Sequence, residues 1–80
     1  MPAEEETICR VLRARGYEVA DDTNPSFGAN GLGLDSIAIV EVLLDVEEHF
    51  RIAVVDDELL ANDPLTIEAL AAHVRTRLSA

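Results

Sequence analysis

The sequence predicts an all-α fold, a small four-helix bundle with three longer helices, one short helix and a long loop between the first two. Apolar residues recur at helical spacing in three segments, and each segment has start and stop signals at its ends. Sustained alternation of apolar and polar residues is missing, and Val54-Val55 is too short for a strand. A chain of 80 residues suffices for one small core, so residues 1–80 are predicted to be a single domain.

The first helix is predicted from Ala3 to Arg15. Glutamates fill its first turn and arginines its last, which suits the helix dipole. Gly16 is predicted to end it as a left-handed residue.

A long loop follows, roughly from Tyr17 to Leu34, and it is rich in glycine, asparagine and aspartate. A loop of this length inside a small domain is uncommon and usually functional. Four apolar side chains are expected to hold it to the core: Tyr17, Val19, Phe27 and Leu32.

The remaining elements are three helices. The second helix is predicted from Ser36 to Phe50, with either Asp35 or Ser36 as its cap. A short third helix is predicted around Asp57 to Ala61, and the last from Thr66 to Leu78.

Charge and composition exclude several classes of function. The chain carries a formal charge of −10 and has no lysine, so a nucleic-acid-binding face is not expected. One cysteine excludes an internal disulfide, no ligand-spaced residues predict a metal site, and no apolar run could span a membrane. The acidic N-terminus lacks a signal-peptide pattern, and we expect a cytoplasmic monomer.

Residues 36–63 hold eight acids and one arginine, so a charge-driven partner site is expected there.

The second helix has more apolar surface than a small core needs. One stripe is assigned to the core: Ile39, Val42, Leu43, Val46 and Phe50. A second stripe, flanked by acids, points elsewhere: Ile37, Val40 and Leu44, with Glu41, Glu47 and Glu48 beside it. Two interpretations stand equally at this point. The second stripe is either a docking face for another protein or a surface that the third helix and the loop cover.

Ser36 stands at the start of the second helix, after the segment Gly31–Asp35. The simplest interpretation is a helix cap. Free backbone N–H groups and the helix dipole also make this position favourable for a phosphate. A catalytic nucleophile would need a base nearby. His49 lies about 20 Å along the same helix, and nothing in the sequence brings His73 close, so a hydrolase triad is poorly supported.

These features together resemble the acyl carrier protein family. The resemblance lies in the sequence Leu34-Asp35-Ser36-Ile37, then Val40-Glu41, then Glu47-Glu48-His49-Phe50, and in Leu65–Leu70 at the last helix. It also covers the order of elements, the length and the acidity. The resemblance implies a freestanding carrier without catalytic residues. It implies that Ser36, preceded by Asp35, carries 4′-phosphopantetheine added from coenzyme A.

The resemblance also implies partners. A phosphopantetheinyl transferase would attach the 4′-phosphopantetheine, a flexible arm that ends in a thiol. An acyl- or aminoacyl-loading enzyme, acyltransferase or ketosynthase with a basic surface would then dock on the second helix. The docking residues implied are Ile37, Val40, Glu41, Leu44, Glu47 and Glu48.

The composition and the residues after Ser36 also bear on the pathway. Ala38, Ile39 and Val55 depart from residues common in the family, and the use of arginine alone with eleven alanines indicates a GC-rich bacterial genome. These features favour polyketide or related specialised metabolism. Carriers of fatty-acid synthesis and peptidyl carriers are the alternatives. An unmodified helical interaction module is the rival from another class.

Overall fold

Four α-helices form the regular structure of the computed structural model, which describes residues 3–20, 23–55, 57–62 and 64–79. They are α1 (Ala3–Ala14), α2 (Ser36–Phe50), α3 (Asp57–Leu60) and α4 (Ile67–Leu78). The described ranges contain no strand, only an isolated bridge between Ser26 and Thr66. No helix in these ranges is long and apolar enough to cross a membrane. The predicted all-α four-helix architecture is confirmed.

The end of α1 shows why the helix stops where it does. Gly16 has a φ of +94°, and its N–H donates to the carbonyl of Arg13. The N–H of Tyr17 donates to the carbonyl of Leu12. This pattern closes a helix through a left-handed glycine, as predicted. The helix ends one residue earlier than expected, because Arg15 already belongs to this turn.

The core lies where α1 packs against α2 and α4. Of the stripe assigned to the core, Val42, Leu43 and Val46 are fully buried, while Ile39 and Phe50 pack partly against it. The other fully or almost fully buried apolar side chains include Ile8, Leu12, Phe27, Val54, Leu59, Ile67, Leu70 and Val74. Burial of this apolar surface is the main force holding the helices together.

The long loop is fixed to the core, as its apolar residues predicted. Phe27 is fully buried and Val19 nearly so, while Tyr17 and Leu32 pack partly against the core. Leu34, which was not predicted as an anchor, is also buried. These anchors place the loop directly before the first turn of α2.

Candidate functional site

Ser36 is the first residue of α2, and its side chain is exposed. Asp35 caps the helix, because its Oδ1 accepts a hydrogen bond of 2.8 Å from the N–H of Ala38. Of the two residues proposed for the cap, the structure therefore selects Asp35. The Ser36 hydroxyl is left for another role.

The first turn of α2 leaves backbone donors beside Ser36. The first four N–H groups of any helix lack partners within the helix. Asp35 supplies two acceptors here, its side chain for Ala38 and its carbonyl oxygen for Ile39. The N–H groups of Ser36 and Ile37 are thus the ones placed to meet an anion, which the positive end of the helix dipole also favours.

Two glycines shape the loop that delivers Ser36. Gly33 has a φ of +79°, a conformation in which a side chain is strained. Gly31 passes so close to the backbone of Ser26 that a Cβ would lie 2.1 Å from its carbonyl oxygen. That same oxygen accepts a hydrogen bond from the N–H of Leu32. The loop can follow this path only with a glycine at position 31.

A groove of about 600 Å³ runs from Ser36 between α2 and the segment around α3. Ile39 and Val40 form its α2 side, and Leu60 and Leu65 lie among the residues of the opposite side. Polar side chains also line it: Ser26, Asn30, Ser36 and Asn62. Leu60, Asn62 and Leu65 were not predicted as site residues, because the predicted site residues all lie at the start of the second helix or along it.

The second apolar stripe of α2 faces solvent. Ile37 is 73% exposed, Leu44 51% and Val40 36%. The interpretation that α3 and the loop cover this stripe does not hold for the described residues. Val40 additionally borders the groove, so the exposed stripe and the groove meet along one edge of α2.

The acids beside this stripe differ in their surroundings. Glu41 and Glu48 are exposed. Glu47 is half-buried, and its Oε2 accepts hydrogen bonds from the N–H of Val54 at 2.7 Å and of Val55 at 2.9 Å. Glu47 therefore connects α2 to the chain that leads into α3. The sequence did not predict this contact.

A surface ion pair joins the helices on another side of α2. The Arg15 guanidinium donates a hydrogen bond to the carboxylate of Asp45. This bond, with the charge of Arg15, holds the pKa of Asp45 below its ordinary value of 3.8. The same contact raises the pKa of Arg15. Both groups stay charged near neutral pH, so the pair ties the end of α1 to α2.

The hypothesis of a catalytic nucleophile gains no support from the geometry. His49 lies near the far end of α2, and His73 lies in the middle of α4. His49 stands thirteen positions after Ser36 on the same helix, about 20 Å along the axis.

The chain is similar to a family of known sequence pattern and to a relative of known name. The model of the family described as "phosphopantetheine attachment site" matches residues 5–74, a range that includes Ser36. An acyl carrier protein from an Exiguobacterium species is 28% identical over 68 residues, which cover 85% of this chain and 84% of that relative. No solved structure matches the chain.

Proposed function

Because the chain belongs to the acyl carrier protein family, with a phosphopantetheine attachment domain over residues 5–74, we propose that Ser36 is the residue that carries the arm. The protein is a carrier and not an enzyme, and its prosthetic group is covalently attached 4′-phosphopantetheine. The observation that carries the proposal is the exposed Ser36 at the first turn of α2, with Asp35 as the cap.

The residues around Ser36 fit a phosphodiester. The hydroxyl is exposed and is not needed for capping, and the N–H groups of Ser36 and Ile37 point out of the helix start. The helix dipole favours negative charge at this end. Asp35 acts here as a structural residue, since it holds the first turn in place through Ala38.

The groove beside Ser36 offers a place for the arm and a short cargo. The bound group supplies a thiol, which holds an acyl or aminoacyl unit as a thioester. Ile39, Val40 and Leu65 provide apolar contact in the groove, and Asn30 and Asn62 provide amides for polar atoms of the arm. The chain itself contributes binding and orientation.

The exposed stripe of α2 supports docking of partner enzymes. Family members interact with a phosphopantetheinyl transferase and with synthase-type enzymes in general. In this chain the apolar contacts would come from Ile37, Val40 and Leu44, and the acids Glu41 and Glu48 would attract a basic partner surface. Glu47 lies on the same helix, but its carboxylate is already hydrogen-bonded to the α2–α3 connection.

Specialised metabolism is the setting that the residues favour. The absence of lysine and the apolar residues Ala38 and Ile39 after Ser36 set this chain apart from the pattern expected of a fatty-acid carrier. The proposed partners are an acyl- or aminoacyl-loading enzyme, an acyltransferase or a ketosynthase of a polyketide or related pathway. The carrier is proposed to act as a monomer in the cytoplasm. Fatty-acid and peptidyl carriers are the alternatives.

Attachment at Ser36 is tested by loading the protein with coenzyme A and a promiscuous phosphopantetheinyl transferase. Intact mass spectrometry should show the addition of one phosphopantetheine. Ser36→Ala should prevent it, whereas Ser26→Ala, which changes another serine of the groove, should not. An unchanged mass of the natural chain would reject the proposal and favour an unmodified interaction module. In that module, Ser36→Ala would leave partner binding intact.

A further inference from the structure

The α3 helix is a single turn, from Asp57 to Leu60. A helix this short has almost no stability of its own, because nucleation is costly and few hydrogen bonds form. Its position must therefore come from contacts with the rest of the molecule. Leu59 supplies one of them, since its side chain is fully buried.

A second anchor lies just before α3. Val54 is fully buried, and the N–H groups of Val54 and Val55 both donate to Oε2 of Glu47. Hydrogen bonds to a carboxylate are stronger than those between neutral groups. The N–H of Ile52 also donates to the backbone carbonyl of Glu47. Glu47 thus accepts hydrogen bonds from three residues of the connection to α3.

This connection leads to a wall of the groove. Leu59 points into the core, while its neighbour Leu60 is 45% exposed and lines the groove opposite Ile39 and Val40. The distance between the two walls therefore depends on where the connection places α3. The half-buried carboxylate of Glu47 fixes that placement from the α2 side.

We propose that Glu47 is a positioning residue for the cargo groove. Glu47 accepts hydrogen bonds from the N–H groups of Val54 and Val55 and so fixes the position of α3 and of Leu60. This position sets the width of the groove, which lets the groove enclose the cargo on the arm. The inference rests on the proposed attachment at Ser36. Glu47 then has a role distinct from that of Glu41 and Glu48. A cationic side chain of a partner could bind the Glu47 carboxylate only by competing with the two backbone N–H donors.

The first part of the test uses the protein without its arm. Hydrogen–deuterium exchange is measured at the amides of Val54 and Val55 in the natural chain, in Glu47→Ala, in Glu47→Gln and in Glu18→Ala. Glu18 is an exposed acid of the long loop and serves as the matched control. Exchange should be at least tenfold faster in Glu47→Ala, partly slowed again in Glu47→Gln, which keeps an acceptor oxygen, and unchanged in Glu18→Ala. Equal exchange in all four proteins would overturn the proposal.

The second part uses a dansyl group joined to the arm thiol through a coenzyme A derivative and loaded enzymatically. Its emission reports whether the group lies in an apolar groove or in water. We expect a blue-shifted emission in the natural chain and in Glu18→Ala, a red shift in Glu47→Ala and partial recovery in Glu47→Gln. Faster amide exchange without an emission change would reduce Glu47 to a purely structural role and overturn the proposal.

The two proposals fail differently. If Ser36 does not accept the arm, no probe is attached. Mass spectrometry then shows an unchanged protein mass before any emission is recorded. If Ser36 is loaded but the dansyl emission of the natural chain equals that of the free probe in water, the arm is in place and the groove does not hold its cargo. That second outcome overturns the cargo groove and with it the role of Glu47, while the attachment at Ser36 stands. If Glu47→Ala does not fold, the milder Glu47→Gln decides both measurements.

Discussion

The backbone N–H of Phe27 donates a hydrogen bond of 2.8 Å to the carbonyl of Leu65. Phe27 belongs to the loop before α2, and Leu65 to the segment before α4. The carbonyl of Phe27 in turn accepts from the N–H of Leu34, two residues before Ser36. Phe27 therefore links the approach to Ser36, the proposed attachment residue, with a wall of the groove, while its ring fills the core.

Removing the Phe27 ring should destabilise the whole domain. The side chain is fully buried, so Phe27→Ala leaves a cavity and loses apolar contact, at a cost of about 3–5 kcal/mol. Small domains have about 5–15 kcal/mol of unfolding free energy in total, so a large part of the stability would be lost. Urea denaturation measures the unfolding free energy of the variant and of the natural chain. Phe27→Leu should lose less, and equal losses for the two variants would contradict a packing role.

The close approach at Gly31 predicts a sharp difference between two glycines. A Cβ at Gly31 would meet the carbonyl oxygen of Ser26, whereas a Cβ at Gly28 meets nothing within 4 Å. Gly31→Ala should therefore distort the loop and cost about 1–3 kcal/mol, and it should slow phosphopantetheine loading at Ser36. Gly28→Ala should leave urea stability and loading nearly unchanged. Similar behaviour of both variants would show that the loop tolerates another path.

The pair of Arg15 and Asp45 predicts a stability difference that depends on pH. The pKa of Asp45 is lowered on folding, first through its hydrogen bond from Arg15. A lowered carboxyl pKa stabilises the folded state above the unfolded value, near 3.8, and this contribution is lost as the pH falls through the folded value. Asp45→Asn should thus be less stable than the natural chain at neutral pH. The two should converge as the solution is acidified below 3.8.

Urea titrations across this range check the convergence. The effect should be small and should weaken with added salt, because the pair is at the surface. Glu18→Gln, which changes an exposed acid of the loop, serves as the control for the loss of one negative charge. A difference between Asp45→Asn and the natural chain that persists unchanged into acid would show that the carboxylate charge is not its source.

The helices were predictable from the sequence because their signals are local. The apolar spacing, the cap residues and Gly16 each act within a few residues of where they stand. The bounds of α2 are the same in prediction and structure, from Ser36 to Phe50. Even the choice between Asp35 and Ser36 as the cap concerned only two neighbouring residues.

The parts that could not be predicted depend on contacts between distant segments. Glu47 looks like its neighbour Glu48 in the sequence, and only the folded chain brings Val54 and Val55 to its carboxylate. The groove wall at Leu60 and Leu65 likewise needs the placement of α3. Residue type and spacing do not predict which distant segments meet, because packing of the folded chain decides those contacts.

Two adjacent leucines of α2 should separate stability from function. Leu43 is fully buried, while Leu44 is 51% exposed. Leu43→Ala should cost about 2–5 kcal/mol of unfolding free energy. Leu44→Ala should stay within about 0.5 kcal/mol of the natural chain and yet slow loading by the transferase. Urea denaturation and a loading assay on both variants test this, and a large stability loss in Leu44→Ala would mean that the stripe is covered.

The acids on α2 predict a dependence of partner encounter on charge and salt. Glu41 is exposed beside the apolar stripe, in the segment that carries eight acids and one arginine. Charges at the rim of an interface act mainly on the rate of association. Glu41→Lys should therefore lower the kcat/KM of transferase loading on the order of tenfold at low ionic strength, and the difference should shrink as salt is added. Glu18→Lys makes the same change of net charge on the loop after α1 and not on α2, and it should have little effect. Equal losses for the two variants would assign the attraction to the overall charge of the protein, and no loss for Glu41→Lys would place the docking surface elsewhere.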